Sequence, residues 1–408
     1  MAKTLVYQLY APAWAPVWGP QGGLRGMTQH IKRIAKLGVD YVWLSGALMS
    51  PQFDHGYDVS DSYRIDPRHG TMEDFDEFVR VAHEHGIGVL MDLILNHTST
   101  KHSWFRSHPD YYCWSHCDRP GWKNLFDDGP AWKYYAEYDL YYLHLFHEKQ
   151  ADLGWFTEES GELNMTLVTE FRSVVDFWTR VHKADGFRID VPQAINKDFN
   201  SHDLGFQDLI YGSKAVEVLN AIFHGQEDSL FLMMECFDPT YGSIVDYYVK
   251  HVPALNFVLN VVLKDLARKD ERGFWQKLDY SAQNRQFMID LESHDSPRFE
   301  LKNCYNPGWV INQLFLTEAR GICLYQGEEL GLSNPTRDQL SDNEMLCLDA
   351  QTAMRHDRGE SLDALRPTSR ANARIPLPLY RYDEQIGKAS FDFTKSAIKR
   401  WKEDEMVD

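Results

Sequence analysis

Residues 71–97 read TMEDFDEFVRVAHEHGIGVLMDLILNH and contain one complete helix-to-strand unit. The Thr71 hydroxyl can cap a first helical turn while Asp74 reaches back to it. Phe75, Phe78, Val79 and Ala82 then recur at i, i+3, i+4 and i+7, one face of a helix, until Gly86 stops it. The run from Ile87 to Leu95 is short, apolar and nearly uninterrupted, as in a strand covered on both faces. A helix feeding such a strand is the repeating piece of a parallel sheet.

Seven further runs of this kind lie at Leu5 to Tyr10, Val39 to Leu44, Ala184 to Asp190, Leu230 to Cys236, Ala254 to Leu259, Gln286 to Leu291 and Gly321 to Tyr325. Val168, Phe171, Val174, Val175 and Trp178 repeat the helical face before the fourth run. Eight strands alternating with helices predict an α/β fold, a closed (β/α)8 TIM barrel, with an open doubly wound sheet as the alternative. A chain of 408 residues accommodates that barrel as one large domain with insertions. The exception to the rhythm is a stretch of about 70 residues after Asn96, rich in Trp, Tyr, His, Gly and Pro and without helical periodicity. Residues 1–97 and 168–408 are therefore assigned to the barrel, and 98–167 to a subdomain inserted after strand three, over the barrel mouth. Some of its aromatic faces could stack on sugar rings, while the rest build its own small core.

In a parallel barrel the reactive groups project from the C-terminal ends of the strands. Strand two leads into Tyr57-Asp58, strand three ends in Asn96-His97, strand four in Arg188-Ile189-Asp190, strand five in Glu235, and strand seven in His294-Asp295. Alternation points Arg188 and Asp190 the same way, so the guanidinium can orient the carboxylate. Glu235 follows four apolar residues, surroundings that raise a carboxyl toward the range of a general acid. Taken singly, a strand-ending acid is commonly a helix cap or a surface ion pair. Three carboxylates gathered at one mouth fit glycoside hydrolysis, in which two of them flank the scissile bond.

The formal net charge of −18 has no basic stripe to set against a phosphate backbone, which argues against nucleic acid and anionic membranes as partners. No stretch approaches the roughly 18 apolar residues of a membrane span, and residues 1–7 lack a signal-peptide pattern, so a cytoplasmic location is expected. The six cysteines are scattered, apart from Cys113 and Cys117, which lack the second pair of a zinc site; they are read as reduced thiols. No cofactor or metal is called for.

The order of these motifs resembles the α-amylase family of glycoside hydrolases (family 13), and within it the oligo-1,6-glucosidase and α-glucosidase group. The resemblance runs from Leu5 almost to the end. It rests on PQFDHGYDVSD (51–61), GTMEDF (70–75), DLILNHTS (92–99), YLHLF (142–146), QADL (150–153), GFRIDV (186–191) and YQGEELG (325–331). It implies a retaining mechanism in which Asp190 is the nucleophile, Glu235 the general acid/base and Asp295 the transition-state stabiliser. Tyr57, Asp58, His97, Phe146, Arg188, His294, Arg298 and Arg370 would hold the non-reducing glucose, with Asp58 and Arg370 closing the pocket behind one ring. That implies an exo-acting enzyme for small oligosaccharide substrates. Val191, directly after the nucleophile, goes in this group with α-1,6 rather than α-1,4 linkages, although ordinary barrel packing would also explain it.

Several positions depart from the family. The first loop, Trp18 to Leu24, has no carboxylate where many relatives bind calcium, so no calcium is expected there. Ser293 stands where the family has Asn before the His-Asp pair, Gly154 replaces an Asn, and the segment from Ser369 to Arg374 has lost an acidic residue. The chain stops soon after the amphipathic stretch Phe391 to Trp401, so the family's C-terminal β-sandwich is expected to be absent. The barrel wall would then be exposed or covered by a second copy in a homo-oligomer. A transglycosylase or disaccharide isomerase on the same scaffold, a non-catalytic sugar-binding protein and a metal-dependent hydrolase using His97 and His294 are the competing readings.

Overall fold

The computed structural model describes residues 3–14, 22–125, 129–157, 161–197, 212–226, 229–240, 242–262, 273, 275–278, 286–299, 314–376 and 384–403. Trp18 to Gln21 of the first loop, and Cys304, lie outside them.

Eight strands, β1 (Thr4–Tyr10), β2 (Tyr41–Ser45), β3 (Gly88–Ile94), β4 (Gly186–Asp190), β5 (Phe231–Cys236), β6 (Phe257–Asn260), β7 (Phe287–Asp290) and β8 (Gly321–Tyr325), correspond to the eight apolar runs. They pair in parallel, each beside its neighbour in sequence, and β1 closes the ring by pairing with both β2 and β8. The architecture is thus the (β/α)8 barrel, and the doubly wound alternative falls because an open sheet would leave two edges.

Alternation along the strands sorts the side chains. Leu5, Tyr7 and Leu9 of β1, Val42 and Leu44 of β2, Phe187 and Ile189 of β4, and Leu232 and Met234 of β5 face outward, into the core shared with the helices. Val6, Trp43, Leu90, Met233, Phe257 and Met288 point inward and fill the lower barrel. Arg188, Asp190 and Glu235 share that inward phase, one or two steps nearer the mouth. Covering helices include α1 (Gly23–Ile34), α2 (Met72–Glu84) and α3 (Met165–Asp176). The Thr71–Asp74 capping box is formed in both directions, and Val168, Phe171, Val174, Val175 and Trp178 are all buried.

The floor of the barrel is tight at two glycines. A Cβ placed on Gly186 would lie 1.8 Å from the Phe231 carbonyl oxygen, and one on Gly321 would lie 2.6 Å from the Phe257 ring. These glycines let the neighbouring strand and its aromatic side chains close the narrow end.

Between β3 and α3 the chain leaves the barrel. His97–Ser99 pairs antiparallel with Gln150–Asp152, tying the two ends of the excursion together. Trp114–Ser115 and Trp132–Tyr135 both pair antiparallel with Leu140–Leu143. Phe105 packs edge-on against Tyr112, Tyr135 and Tyr142 and stacks on Trp114, a group continuous with the main core, whereas Trp122, Ala131, Trp132, Leu143 and Leu145 gather in a separate small cluster. The last helix, Glu384–Glu403, seats Trp401 on the barrel wall, its indole N–H donating to the Ala319 carbonyl at 3.0 Å. Among the described residues no helix is long and apolar enough to cross a membrane.

Gly186→Ala must push β4 away from β5. A loss of about 1–3 kcal/mol of stability is expected, to be read as a lowered thermal midpoint by differential scanning calorimetry; an unchanged midpoint would contradict the tight floor.

Candidate active site

Arg188 occupies the centre of the barrel mouth with a side chain only 2 % exposed. Its Nη1 donates to Asp190 Oδ1 and its Nη2 to Glu235 Oε2, with Asp92 Oδ1 at 3.5 Å from Nη1. Asp92 is fixed in turn by the Trp43 indole N–H at 2.9 Å and the Gly46 backbone N–H at 2.8 Å. The guanidinium lies over the rings of Trp43 and Tyr57, 4.8 and 5.6 Å from their centroids. A planar fork offering parallel donors is what can hold two carboxylates at a set separation.

Burial pushes the Asp190 carboxyl well above its ordinary value; Arg188 opposes this, while Glu235, Asp92 and Asp295 add to it. Immediately after Asp190 the backbone of Val191 adopts the left-handed conformation, φ 30° and ψ 51°. That is unfavourable for a β-branched side chain, and it turns the chain sharply into the short helix Pro192–Ile195.

Asp295 follows β7 and belongs to a second charge cluster. Arg370 Nη1 approaches its Oδ1 at 3.2 Å and Arg374 Nη2 at 2.9 Å, while His294 Nε2 lies 3.0 Å from Oδ2. Desolvation raises this carboxyl, but His294, Arg370 and Arg374 outweigh it and hold it well below the ordinary range. His294 is sandwiched between the rings of Tyr10 and Tyr57, at 5.0 and 4.9 Å, and its Nδ1 is 2.7 Å from Gln8 Nε2. Burial lowers its imidazole, as it does that of His97. His97 donates from Nε2 to the Tyr57 carbonyl at 3.2 Å and packs against Phe146 at 5.3 Å.

Asp190, Glu235 and Asp295 converge on a cavity of ≈ 530 Å³, with Tyr57, His97, Phe146 and Arg370 on its walls. Arg188 and His294 stand behind that surface and hold the groups that line it. Two residues are placed differently from the sequence reading. Asp58 is fully buried, with Oδ1 accepting from Ser50 Oγ and the Asp54 N–H and Oδ2 from the Phe53 N–H. It organises the turn, and the carboxylate beside Arg370 is Asp54, 3.9 Å away on the cavity wall. Arg298, 1 % exposed, pairs with Glu292 at 2.8 Å and donates to the Gln326 carbonyl, away from the cavity. Sequence reasoning missed Asp54, Arg374 and the outer wall of Leu125, Phe237, Val261, Gln351 and Met354. Asp54 sits inside the 51–61 motif, and Arg374 lies one helical turn after Arg370; neither signal separates it from its neighbours.

A model of the Alpha amylase catalytic domain matches residues 10–384. The chain belongs to the α-amylase family. It is accordingly a glycoside hydrolase. It is similar to the trehalose-6-phosphate hydrolase of Escherichia coli (strain K12), 31 % identical over 91 % of this chain and 74 % of the relative. It is likewise similar to the oligo-1,6-glucosidase of Bacillus cereus, 28 % identical over 94 % and 75 %. Among solved structures, the trehalose-6-phosphate hydrolase of Bacillus licheniformis superposes with a TM-score of 0.82 at 25 % identity, covering 98 % of this chain and 83 % of that one.

Because Arg188 lowers the Asp190 carboxyl and burial raises it, removing the guanidinium leaves burial unopposed. Arg188→Gln is therefore expected to move the acid limb of the kcat/KM profile to higher pH, activity being lost as Asp190 is protonated. It should also cut kcat by about 100-fold or more, as loss of a group that positions and stabilises charge does. An unmoved acid limb in the pH–rate profile would separate Arg188 from the ionisation of Asp190.

Proposed function

We propose that this α-amylase family member is a retaining, exo-acting α-glucosidase that hydrolyses short α-linked gluco-oligosaccharides, α-1,6 in preference to α-1,4. The observation that carries the reading is the bridging of Asp190 and Glu235 by one guanidinium. Two carboxylates held by a single fork stand close together, as the retaining geometry of about 5 Å requires. In this reading Asp190 attacks the anomeric carbon and forms a glycosyl-enzyme. Glu235 gives its proton to the departing glycosidic oxygen, then takes one from the water that releases the sugar. Asp295, kept ionised by its arginines, faces the positive charge that develops on the ring.

The sugar-holding roles belong to the same proposal: Tyr57, His97 and Phe146 enclose the non-reducing glucose, Asp54 and Arg370 close the pocket behind it, and residues 98–167 form a subdomain over the mouth. Val191, on the cavity wall after the nucleophile, supports the α-1,6 preference. A second reading, a phosphorylated disaccharide, is favoured by the names of the relatives. Against it, Asp54, Asp190, Glu235 and Asp295 line the cavity with one guanidinium among the described residues, and Arg370 is already engaged by Asp295 and Asp349.

Chromatography and anomeric NMR of products from isomaltose, panose, maltose, sucrose, trehalose and trehalose 6-phosphate test this directly. Release of α-glucose from isomaltose or panose is expected, and none from an Asp190→Asn control. New disaccharides would instead establish transfer or isomerisation, and turnover of the phosphorylated sugar alone would replace the substrate. Val191→Thr is expected to lower the isomaltose-to-maltose ratio of kcat/KM; an unchanged ratio would remove Val191 from linkage choice.

A further inference from the structure

Asp349 is 2 % exposed and does not line the cavity, yet six hydrogen bonds converge on its carboxylate. It caps the helix Ala350–Asp357, with Oδ1 accepting from the N–H groups of Gln351 at 3.1 Å and Thr352 at 3.3 Å. Its Oδ2 accepts from the hydroxyls of Thr352 at 2.6 Å and Ser369 at 3.0 Å. The remaining two bonds go to Arg370, from its backbone N–H to Oδ2 at 2.9 Å and from its Nε to Oδ1 at 3.2 Å.

A cap alone requires an oxygen, not a buried charge, and Asn or Ser would serve. The charge faces Arg370 and Arg374, which together with Thr352 outweigh burial and hold the carboxyl below its ordinary range. Ala371, the neighbour of Arg370, supplies no carboxylate. With Nε and its own main chain gripped by Asp349, Arg370 leaves Nη1 to meet Asp295 at 3.2 Å and Nη2 to face Asp54 at 3.9 Å. Gln351 and Met354, on the helix that Asp349 caps, stand on the cavity wall.

We infer that Asp349 is a positioning residue: it fixes Arg370 at Nε, so that the guanidinium meets Asp295 at a set angle and divides its charge among Asp295, Asp54 and Asp349, and it locks that geometry to the wall helix. The inference rests on the α-glucosidase reading of the same site. Without the Asp349 charge, Arg370 bears more fully on Asp295 and draws its negative charge away from the ring, where it is needed in the transition state.

The test is a double-mutant cycle of Asp349→Asn and Arg370→Gln, with kcat and KM on 4-nitrophenyl α-glucoside, the Kd of 1-deoxynojirimycin by calorimetry, and the thermal midpoint. Asn keeps the cap but gives up the charge that faces Arg370 and Arg374, so the variant is assayed well below its thermal midpoint, where kcat should fall about tenfold, the size of a lost hydrogen bond to a charged group, with KM changing less. The double variant should be no slower than Arg370→Gln alone, because Asp349 acts through Arg370. Should Asn lower the midpoint, Arg370→Lys replaces it: it keeps the charge but has no guanidinium Nε–H for Asp349, and adding Asp349→Asn to it should cost nothing further. Multiplying losses in the cycle, or an undiminished kcat in Asp349→Asn, would overturn the inference. A wild type inert on the glucoside would sink the α-glucosidase reading instead, and the coupling is then judged by the inhibitor Kd, where additive losses refute it.

Discussion

A guanidinium with almost no solvent contact must be balanced from within the protein, since an uncompensated buried charge costs several kcal/mol. Arg188 is balanced by Asp190, Glu235 and Asp92 together, and much of the barrel is arranged to make that possible. Asp92 is oriented by the Trp43 indole and the Gly46 backbone, and the rings of Trp43 and Tyr57 cover the faces of the cation. Lower down, the buried side chains of Val6, Leu90, Met233, Phe257 and Met288 fill the barrel beneath the cluster. The carboxylates to which the proposed function gives the chemistry are therefore also the groups that make the buried arginine tolerable.

A second network answers it across the cavity. Asp295 carries the charges of Arg370 and Arg374, and Asp349 and Asp54 share in balancing them. The two clusters push their carboxylates in opposite directions. Burial and neighbouring acids raise Asp190, while paired arginines depress Asp295. Asp295 is thereby held ionised, and Arg188 is what opposes the rise at Asp190.

The barrel was legible in the sequence because each strand is an apolar run with covered faces and each helix repeats on a 3.6-residue period; Phe75 to Ala82 and Ile87 to Leu95 read unambiguously. The inward phase of Arg188, Asp190 and Glu235 was legible for the same reason, since period-two alternation fixes which side chains face together. What the sequence could not separate were acids four residues apart in one loop. Asp54 and Asp58 are equivalent on paper, and only the Ser50 hydroxyl and the backbone N–H groups of Phe53 and Asp54 draw Asp58 inward and leave Asp54 at the wall. Arg298 and Arg374 differ likewise: Glu292 captures the first and Asp295 the second. Such outcomes depend on contacts between segments far apart in the chain, which no local pattern records.

The arginines of the second network are drawn from the last-made part of the barrel's mouth, after β8. Asp190 and Glu235 leave the ribosome long before Arg370 and Arg374, and β1 cannot complete its pairing until β8, more than 300 positions later, arrives. Strand β1 must wait with one ladder open, and the indole of Trp401 reaches the wall near β8 later still. Such long-range closure makes folding slow and leaves apolar edges exposed in the interim. Until Arg370 and Arg374 have emerged, the charge balance of the cavity is incomplete, although the strands that carry Asp190 and Glu235 have long been made.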